Sequence, residues 1–247
     1  VYVPSYKPTP SLINYAFMRG VPNRRAYDYA IADGLLRQTL RNENLSYAEV
    51  ASRIRDQFAA NVKPSPNNYW DKGKSPSIEL LMERWLLTGF PVGPEALEGL
   101  TILLDNGASQ YEYRSSDSMT LLEQVIYRIV TSKALRGTPG YEEYMAIVSL
   151  LLTPKLDSGD KNFDKTDLKY ETFFSTAYGW STRSSPLHIA VDGGEERLVR
   201  MLLEAGADIT ARDSNGDTVA TSVVREWTVN GNDGSMLNML ILLKDYK

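Results

Sequence analysis

Residues 185–217 read SPLHIAVDGGEERLVRMLLEAGADITARDSNGD, and this stretch decides the fold. Ser185 is suited to cap a helix, and Pro186 then takes the first helical position, where no amide donor is needed. After a break at two consecutive glycines, apolar residues recur at the i, i+3, i+4, i+7 spacing of a second helix. Gly206 follows, where the chain must adopt a positive φ to leave that helix. The stretch therefore predicts a short antiparallel pair of helices and then a turn.

The order of these residues resembles the ankyrin repeat. The family pattern is T-P-L-H-x-A, a glycine, V-x-x-L-L and then G-A-D, and residues 185–208 follow it without a gap. Serine stands for the threonine, and Glu195 stands for the histidine that usually follows the glycine. A further unit begins at Thr218, 33 positions after the first, which is the ankyrin period. The resemblance implies structural roles, with a hydroxyl and an imidazole tying helix to backbone, for Ser185, Pro186, Leu187, His188 and Gly206.

Weaker copies of the pattern lie on both sides of this stretch, and they predict an all-α fold. The predicted architecture is an ankyrin-type solenoid of helix pairs, with an N-terminal helical cap and a long insertion at 154–184 before the best repeat. Residues 1–76 would form an extended arm and the cap, and residues 77–247 an array of about four repeats. The last pair is interpreted as a C-terminal cap. The predicted pairs are 78–87 with 95–104, 120–133 with 141–152, and 218–228 with 235–244.

The N-terminal segment differs in composition from the rest. Three prolines and two tyrosines in residues 1–10 predict an extended arm. Residues 46–49 form a capping box, which opens a helix with Val50, Ile54 and Phe58 on one face. This helix also resembles the first helix of helix-turn-helix DNA-binding proteins. However, the residues after it are rich in proline and asparagine, which disfavour the second helix that such a protein requires.

Composition excludes several kinds of chemistry. The 247 residues contain no cysteine, which excludes disulfides, thiolate zinc sites and cysteine nucleophiles, and only one histidine. The net charge of −4 argues against nucleic acid as the main partner. The apolar run at 239–243 is too short to span a bilayer, so we expect no membrane segment and an intracellular location, cytoplasmic or nuclear. Because the chain begins with Val1, we expect a fragment or a processed chain.

Two sequence signals suggest ligands, and each has an ordinary explanation. Residues 160–171 place oxygen donors at positions 1, 3, 5 and 12 of an EF-hand-like loop, but Lys165 occupies the position that requires glycine. A solvated acidic loop explains them better, so calcium is left as a test. The Gly-Lys-Ser triplet at 73–75 lacks the upstream glycine of a phosphate loop. We therefore predict no cofactor, no metal and no catalytic residue.

The predicted function is a non-enzymatic protein-interaction scaffold. In ankyrin proteins the loop tips and the first helix of each pair form a concave face that binds a partner protein or peptide. Tyrosine and arginine are the residue types that most often dominate interface energies. The alternative for each residue is that it only solvates or supports a turn. Tyr111, Tyr113 and Arg114 flank the earlier loop tip and are predicted to bind as well. The family's variable positions correspond to Tyr127, Arg128, Thr182, Ser184, Asp192, Asn215, Asp217, Arg225 and Glu226.

A second hypothesis rests on uneven charge. Residues 1–74 contain 11 Lys and Arg against 6 Asp and Glu, whereas residues 75–247 contain 16 against 25. A basic N-terminal segment followed by an acidic remainder suggests two segments with different functions. The alternative function is therefore a nucleic-acid-associated regulatory protein that uses the basic N-terminal helical segment. The sequence leaves the oligomeric state open.

Overall fold

The computed structural model of the chain divides into two compact units, residues 1–113 and residues 114–247. In the first unit the helix at 94–105 packs on the helix at 47–59, and the domain boundary after residue 76 stays a prediction. Where the repeat array begins stays a prediction. The residues that the structure describes are 23–61, 63–64, 80–81, 94–108, 120–153, 172–175, 181–230 and 234–246.

The first unit contains α1 (Asn23–Arg41), α2 (Tyr47–Ala59) and α3 (Pro94–Asp105) in its described part. Helix α1 packs on α2, and α2 packs on α3. The hydroxyl of Ser46 accepts the Glu49 amide at 3.3 Å, and the Glu49 carboxylate accepts the Ser46 amide at 2.8 Å. The predicted capping box is therefore confirmed, and it satisfies two amides that a bare helix end would leave unpaired.

The predicted apolar face of α2 forms the core of this unit. Val50, Ile54 and Phe58 are all buried. A Cβ built on Gly99 of α3 would lie 3.8 Å from Ile54, so the two helices approach closely at this point. An exposed ion pair between Arg55 and Glu98 also joins α2 to α3.

The second unit contains three helical hairpins and one β-hairpin in its described part. A short 3₁₀ turn separates the first two helices. In chain order the elements are α4 (Leu121–Thr131) with α5 (Pro139–Leu152), β1 (Thr172–Ser175) with β2 (Ser181–Ser184), α6 (Pro186–Asp192) with α7 (Glu196–Glu204), and α8 (Val219–Asn230) with α9 (Ser235–Asp245).

The three helical hairpins stack in order. The first helices make one row, in which α4 packs on α6 and α6 on α8, and the second helices make another, in which α5 packs on α7 and α7 on α9. Each hairpin also packs internally. Side chains that a single hairpin would leave exposed are fully buried in this arrangement, as is typical of repeat arrays. Those with no measurable exposure include Ile126, Ile129, Val148, Val191, Leu198, Leu202 and Val223.

The predicted all-α class is confirmed, with one addition that the sequence did not predict. Strands β1 and β2 pair antiparallel, with Thr172 opposite Ser184, inside the region predicted as an insertion. Four-residue strands are too short to show an alternating pattern of apolar residues, so the sequence does not predict them. The acidic loop at 160–171, where calcium was left as a test, lies outside the described residues.

Helices α3 and α7 end in the same way, although they belong to different units. Gly107 has φ 91° and Gly206 has φ 93°. In each case the alanine after the glycine donates its amide to the carbonyl of a leucine five residues earlier, at 2.9 Å. Gly206 therefore has the positive φ that the sequence predicts, and Gly107 shows the same helix end, in a conformation that is strained for a residue with a Cβ.

Candidate functional site

The start of α6 is organised around His188, which has no exposed surface. Its Nε2 atom lies 3.2 Å from the carbonyl oxygen of Asp217. A carbonyl can only accept, so Nε2–H donates, and Nδ1 accepts the Ser185 hydroxyl proton at 2.8 Å. In this neutral form the imidazole ties the cap of α6 to Asp217, two residues before α8. These contacts are of the kind expected from the structural role predicted for Ser185 and His188.

Burial lowers the pKa of His188 below its ordinary value of 6.5, and this effect outweighs the nearby carboxylates of Asp213 and Asp217. Since the unfolded chain binds this proton more readily than the folded chain, stability is complete above pH 6.5 and falls as the pH drops through that value toward the lower folded-state pKa. We expect the denaturant midpoint to fall between pH 7 and pH 5 more steeply in the wild type than in His188→Gln. Equal slopes in the two proteins would contradict the prediction. Because His188 is the chain's single histidine, its NMR titration reports the pKa directly.

Residues 207–218, here called the finger, connect α7 to α8. The Asp213 carboxylate is buried and accepts the backbone amides of Asn215 and Asp217, each at 2.9 Å. Arg212 and Thr218 face each other as an isolated antiparallel bridge. Gly216 closes the turn at φ 81°. The finger is thus a hydrogen-bonded turn, with the short Asp side chain supplying the acceptors that such turns use.

Comparison with protein-family models gives one match, to the model described as "Ankyrin repeat", over residues 183–214. These residues cover β2, α6, α7 and the start of the finger. Residues 183–214 are therefore similar to an ankyrin repeat. A search of curated proteins gives no match. Ankyrin repeats are typically non-enzymatic protein-interaction modules, so the coarse functional class predicted from the sequence is supported.

The hairpins on either side of the ankyrin repeat place equivalent residues in a row. The helix caps are Thr120, Ser185 and Thr218. Seven residues after each cap stand Tyr127, Asp192 and Arg225, which we call the first-helix row. The guanidinium of Arg225 lies 3.9 Å from the Asp192 carboxylate, so neighbours in the row are in contact between α6 and α8.

Arg225 sits among three carboxylates. It donates to Asp217, and it lies within 4.0 Å of Asp213 as well as near Asp192. The side chains of Arg225 and Asp192 are 38% and 37% exposed, so this pair faces solvent, where ion pairs are worth about 0–1 kcal/mol, whereas the Asp213 side chain is 3% exposed. The structure therefore brings together three of the residues predicted to bind a partner, and it pairs them with one another.

The remaining predicted residues fall into three groups. Tyr127 is half-buried and Arg128 is exposed on α4, and Asn215 is exposed on the finger. Ser184 lies at the end of β2, just before the cap of α6, and is 5% exposed. It therefore offers almost no surface to a partner and is not part of the proposed site. Thr182 lies on β2 and Glu226 on α8, but their side chains are outside the described part. Also outside it are Tyr111, Tyr113 and Arg114.

Sequence reasoning missed a buried group between the ankyrin repeat and the preceding hairpin. The Glu195 carboxylate, 5% exposed, accepts from Arg136 Nε at 2.6 Å and from the Tyr141 hydroxyl at 2.9 Å. Arg136 also donates to the carbonyl of Gly193 at 2.7 Å. Burial, together with the hydrogen bond to Glu195 and its charge, raises the pKa of Tyr141 to about 12. The only signal in the sequence was that Glu195 departs from the family's histidine.

Two absences concern the described residues alone. They contain no group of three or more acidic, histidine or cysteine side chains arranged to hold a metal ion. Among their helices, none combines the length and the apolar character that crossing a membrane requires.

Proposed function

We propose that residues 114–247 form a protein-interaction module, which binds a partner protein or peptide through the first-helix row, Arg128 and the finger. The observation that carries this proposal is the stack of three hairpins, because their first helices pack side by side and Asp192 and Arg225 approach within 3.9 Å. A rigid row of this kind presents a preformed surface, so binding loses little conformational entropy.

The chemistry of this surface suits a polar or charged peptide. Tyr127 and Arg128 at one end are residue types that are enriched at energetic hot spots. At the other end of the row, three carboxylates surround the single guanidinium of Arg225. This end therefore carries more negative than positive charge. We infer that the partner offers aromatic or acidic contacts to α4 and basic contacts near α8.

The proposal is tested with Y127A/R128A, because these substitutions remove the side chains that we expect to contribute most to binding at this surface. Retention of the partner should fall at least about tenfold, as expected for a hot-spot pair. The full chain is used as bait, and each captured protein is quantified by mass spectrometry. The matched control is E196A/R200A, which removes an exposed ion pair on α7. Circular dichroism confirms that both variants are folded. Equal retention by Y127A/R128A and the wild type would contradict the proposal.

Further details of function stay predictions. A scaffold binds two partners at the same time, whereas the face proposed above would bind one. The nucleic-acid alternative rests on the basic residues of the N-terminal segment, and one of them, Arg55, is paired with Glu98. A mobility-shift experiment with the full chain discriminates the two hypotheses, because binding through phosphates weakens steeply with salt. An intracellular location also stays a prediction.

A further inference from the structure

Asp217, at the base of the finger, has its amide, its carbonyl and its carboxylate all engaged within the protein. Its amide donates to the Asp213 carboxylate at 2.9 Å, and its carbonyl accepts from the Asp213 amide at 2.9 Å. The same carbonyl lies 3.2 Å from His188 Nε2 of α6. Its carboxylate accepts from Arg225 of α8 at 2.5 Å. Asp217 is therefore the point at which the helices on both sides hold the finger.

The guanidinium of Arg225 is directed at groups of the protein itself. Its Nη1 lies 2.5 Å from Asp217 and 4.0 Å from the buried carboxylate of Asp213. Its Nη2 lies 3.4 Å from the hydroxyl of Ser222, which is on α8 as well, and 3.9 Å from Asp192 on α6. The planar set of donors on one arginine thus links α6, the finger and α8.

Loss of this guanidinium would leave carboxylates near one another without the cation between them. Asp213 and Asp217 belong to the finger, whereas Asp192 belongs to α6. Like charges at such distances repel, and the repulsion is relieved when the finger moves away from the helices. Arg225 is therefore suited to fix the orientation of the finger.

Asn215 is the exposed residue that this arrangement orients. Its backbone amide donates to one oxygen of the Asp213 carboxylate at 2.9 Å, and its side-chain Nδ2 donates to the other at 3.3 Å. A carboxylate only accepts, so the side-chain amide turns its nitrogen toward Asp213. The Oδ1 atom, on the opposite side of the planar amide, is turned away from that carboxylate and is suited to accept an N–H group.

We propose that Arg225 is a positioning residue, which orients the finger so that Asn215 Oδ1 accepts a hydrogen bond from an N–H group of the partner. This inference rests on the proposed function, and it separates the roles of residues that the repeat pattern treats alike. Asn215 contacts the partner, whereas Asp217 and Arg225 hold the contact in place. A preformed contact loses little conformational entropy on binding, so a loosened finger binds more weakly.

The first experiment measures the order of the finger without any partner. Residue-resolved amide hydrogen exchange of the full chain is compared among the wild type, Arg225→Ala and the control Arg200→Ala, which removes an exposed ion pair on α7. Exchange at Asn215 and Asp217 should rise at least about fivefold in R225A, since both amides donate to Asp213 in the ordered finger. Exchange in α5 should stay within about twofold of the wild type in both variants, which separates a local change from lower global stability. Unchanged exchange of the two finger amides in R225A would overturn the proposal.

The second experiment tests whether Arg225 acts through Asn215. Retention of the partner is measured by mass spectrometry for R225A, N215A and R225A/N215A. Each single variant should lose at least about threefold, and the double variant should lose little more than the larger of the two single losses. The variant D217R/R225D exchanges the two charges, so it should regain slow exchange of the finger and retention within about twofold of the wild type.

Two further results would overturn the proposal. One is a double variant whose loss is the product of the two single losses, because Arg225 would then act independently of Asn215. The other is a D217R/R225D protein that regains slow exchange but not the partner, because Arg225 or Asp217 would then contact the partner directly. The proposed function is judged separately, since equal retention by Y127A/R128A counts against the binding surface and leaves the exchange result for the finger unaffected.

Discussion

Gly193→Ala should lower the free energy of unfolding by roughly 2–3 kcal/mol. A Cβ at this position would lie 2.5 Å and 2.6 Å from the two methyl carbons of Val130 and 2.9 Å from its Cβ. Gly193 has φ −77°, which any residue adopts, so the cost is steric rather than conformational. Valine is stiff at χ1, and both of its methyl groups already face the glycine. Helix α4 would therefore have to move away from the turn between α6 and α7.

The measurement is chemical denaturation of the wild type, G193A, V130A and the double variant V130A/G193A. Val130→Ala removes the methyl groups that meet the new Cβ, so the double variant should recover most of the loss caused by G193A. Additive effects of the two substitutions would contradict the steric explanation, because additivity means that the two sites do not interact.

Glu195→Ala should lower the free energy of unfolding by roughly 2 kcal/mol. Removal of the buried carboxylate leaves the half-buried hydroxyl of Tyr141 and one nitrogen of Arg136 without their acceptor. The Arg136 side chain is 45% exposed, so water replaces part of that interaction, and the loss stays below the 3–5 kcal/mol typical of a fully buried pair.

Y141F provides the matched comparison for E195A, because it removes one donor but leaves Glu195 paired with Arg136. We expect Y141F to cost less than E195A, and the two changes to be non-additive in the double variant. The pKa of Tyr141 should also fall from about 12 toward its ordinary value of 10.0 in E195A, since the hydrogen bond and the negative charge that raise it are gone. An E195A protein as stable as the wild type would show that the carboxylate does not join the hairpins.

Local signals account for the parts of the fold that the sequence could predict. Caps such as Ser46 and Ser185, the spacing of apolar residues, and glycines at helix ends each act within a few residues. They placed the helices of all three stacked hairpins correctly. The group around Glu195 could not be predicted in this way, because Arg136 and Tyr141 lie 59 and 54 residues before it in the chain.

The candidate site was predictable in part for a similar reason. The periodicity of the repeat identified Asp192 and Arg225 as equivalent surface positions, but not their contact with each other. The 47% exposure of Val224 could not be predicted either, because Ile126 and Val191 are fully buried at the same position of their helices. A repeat pattern shows which side chains face another hairpin, and the three-dimensional arrangement shows whether one is present.

The central claim, that partners bind along the first helices, is tested most directly by site-specific photo-cross-linking. A photoreactive amino acid replaces Arg128 on α4 in one variant and Arg200 on α7 in another, and the full chain is irradiated in the presence of a cell extract. We expect position 128 to give discrete covalent adducts that Y127A removes, and position 200 to give none of them. The same adducts from both positions, or adducts from position 200 alone, would contradict the assignment of this face.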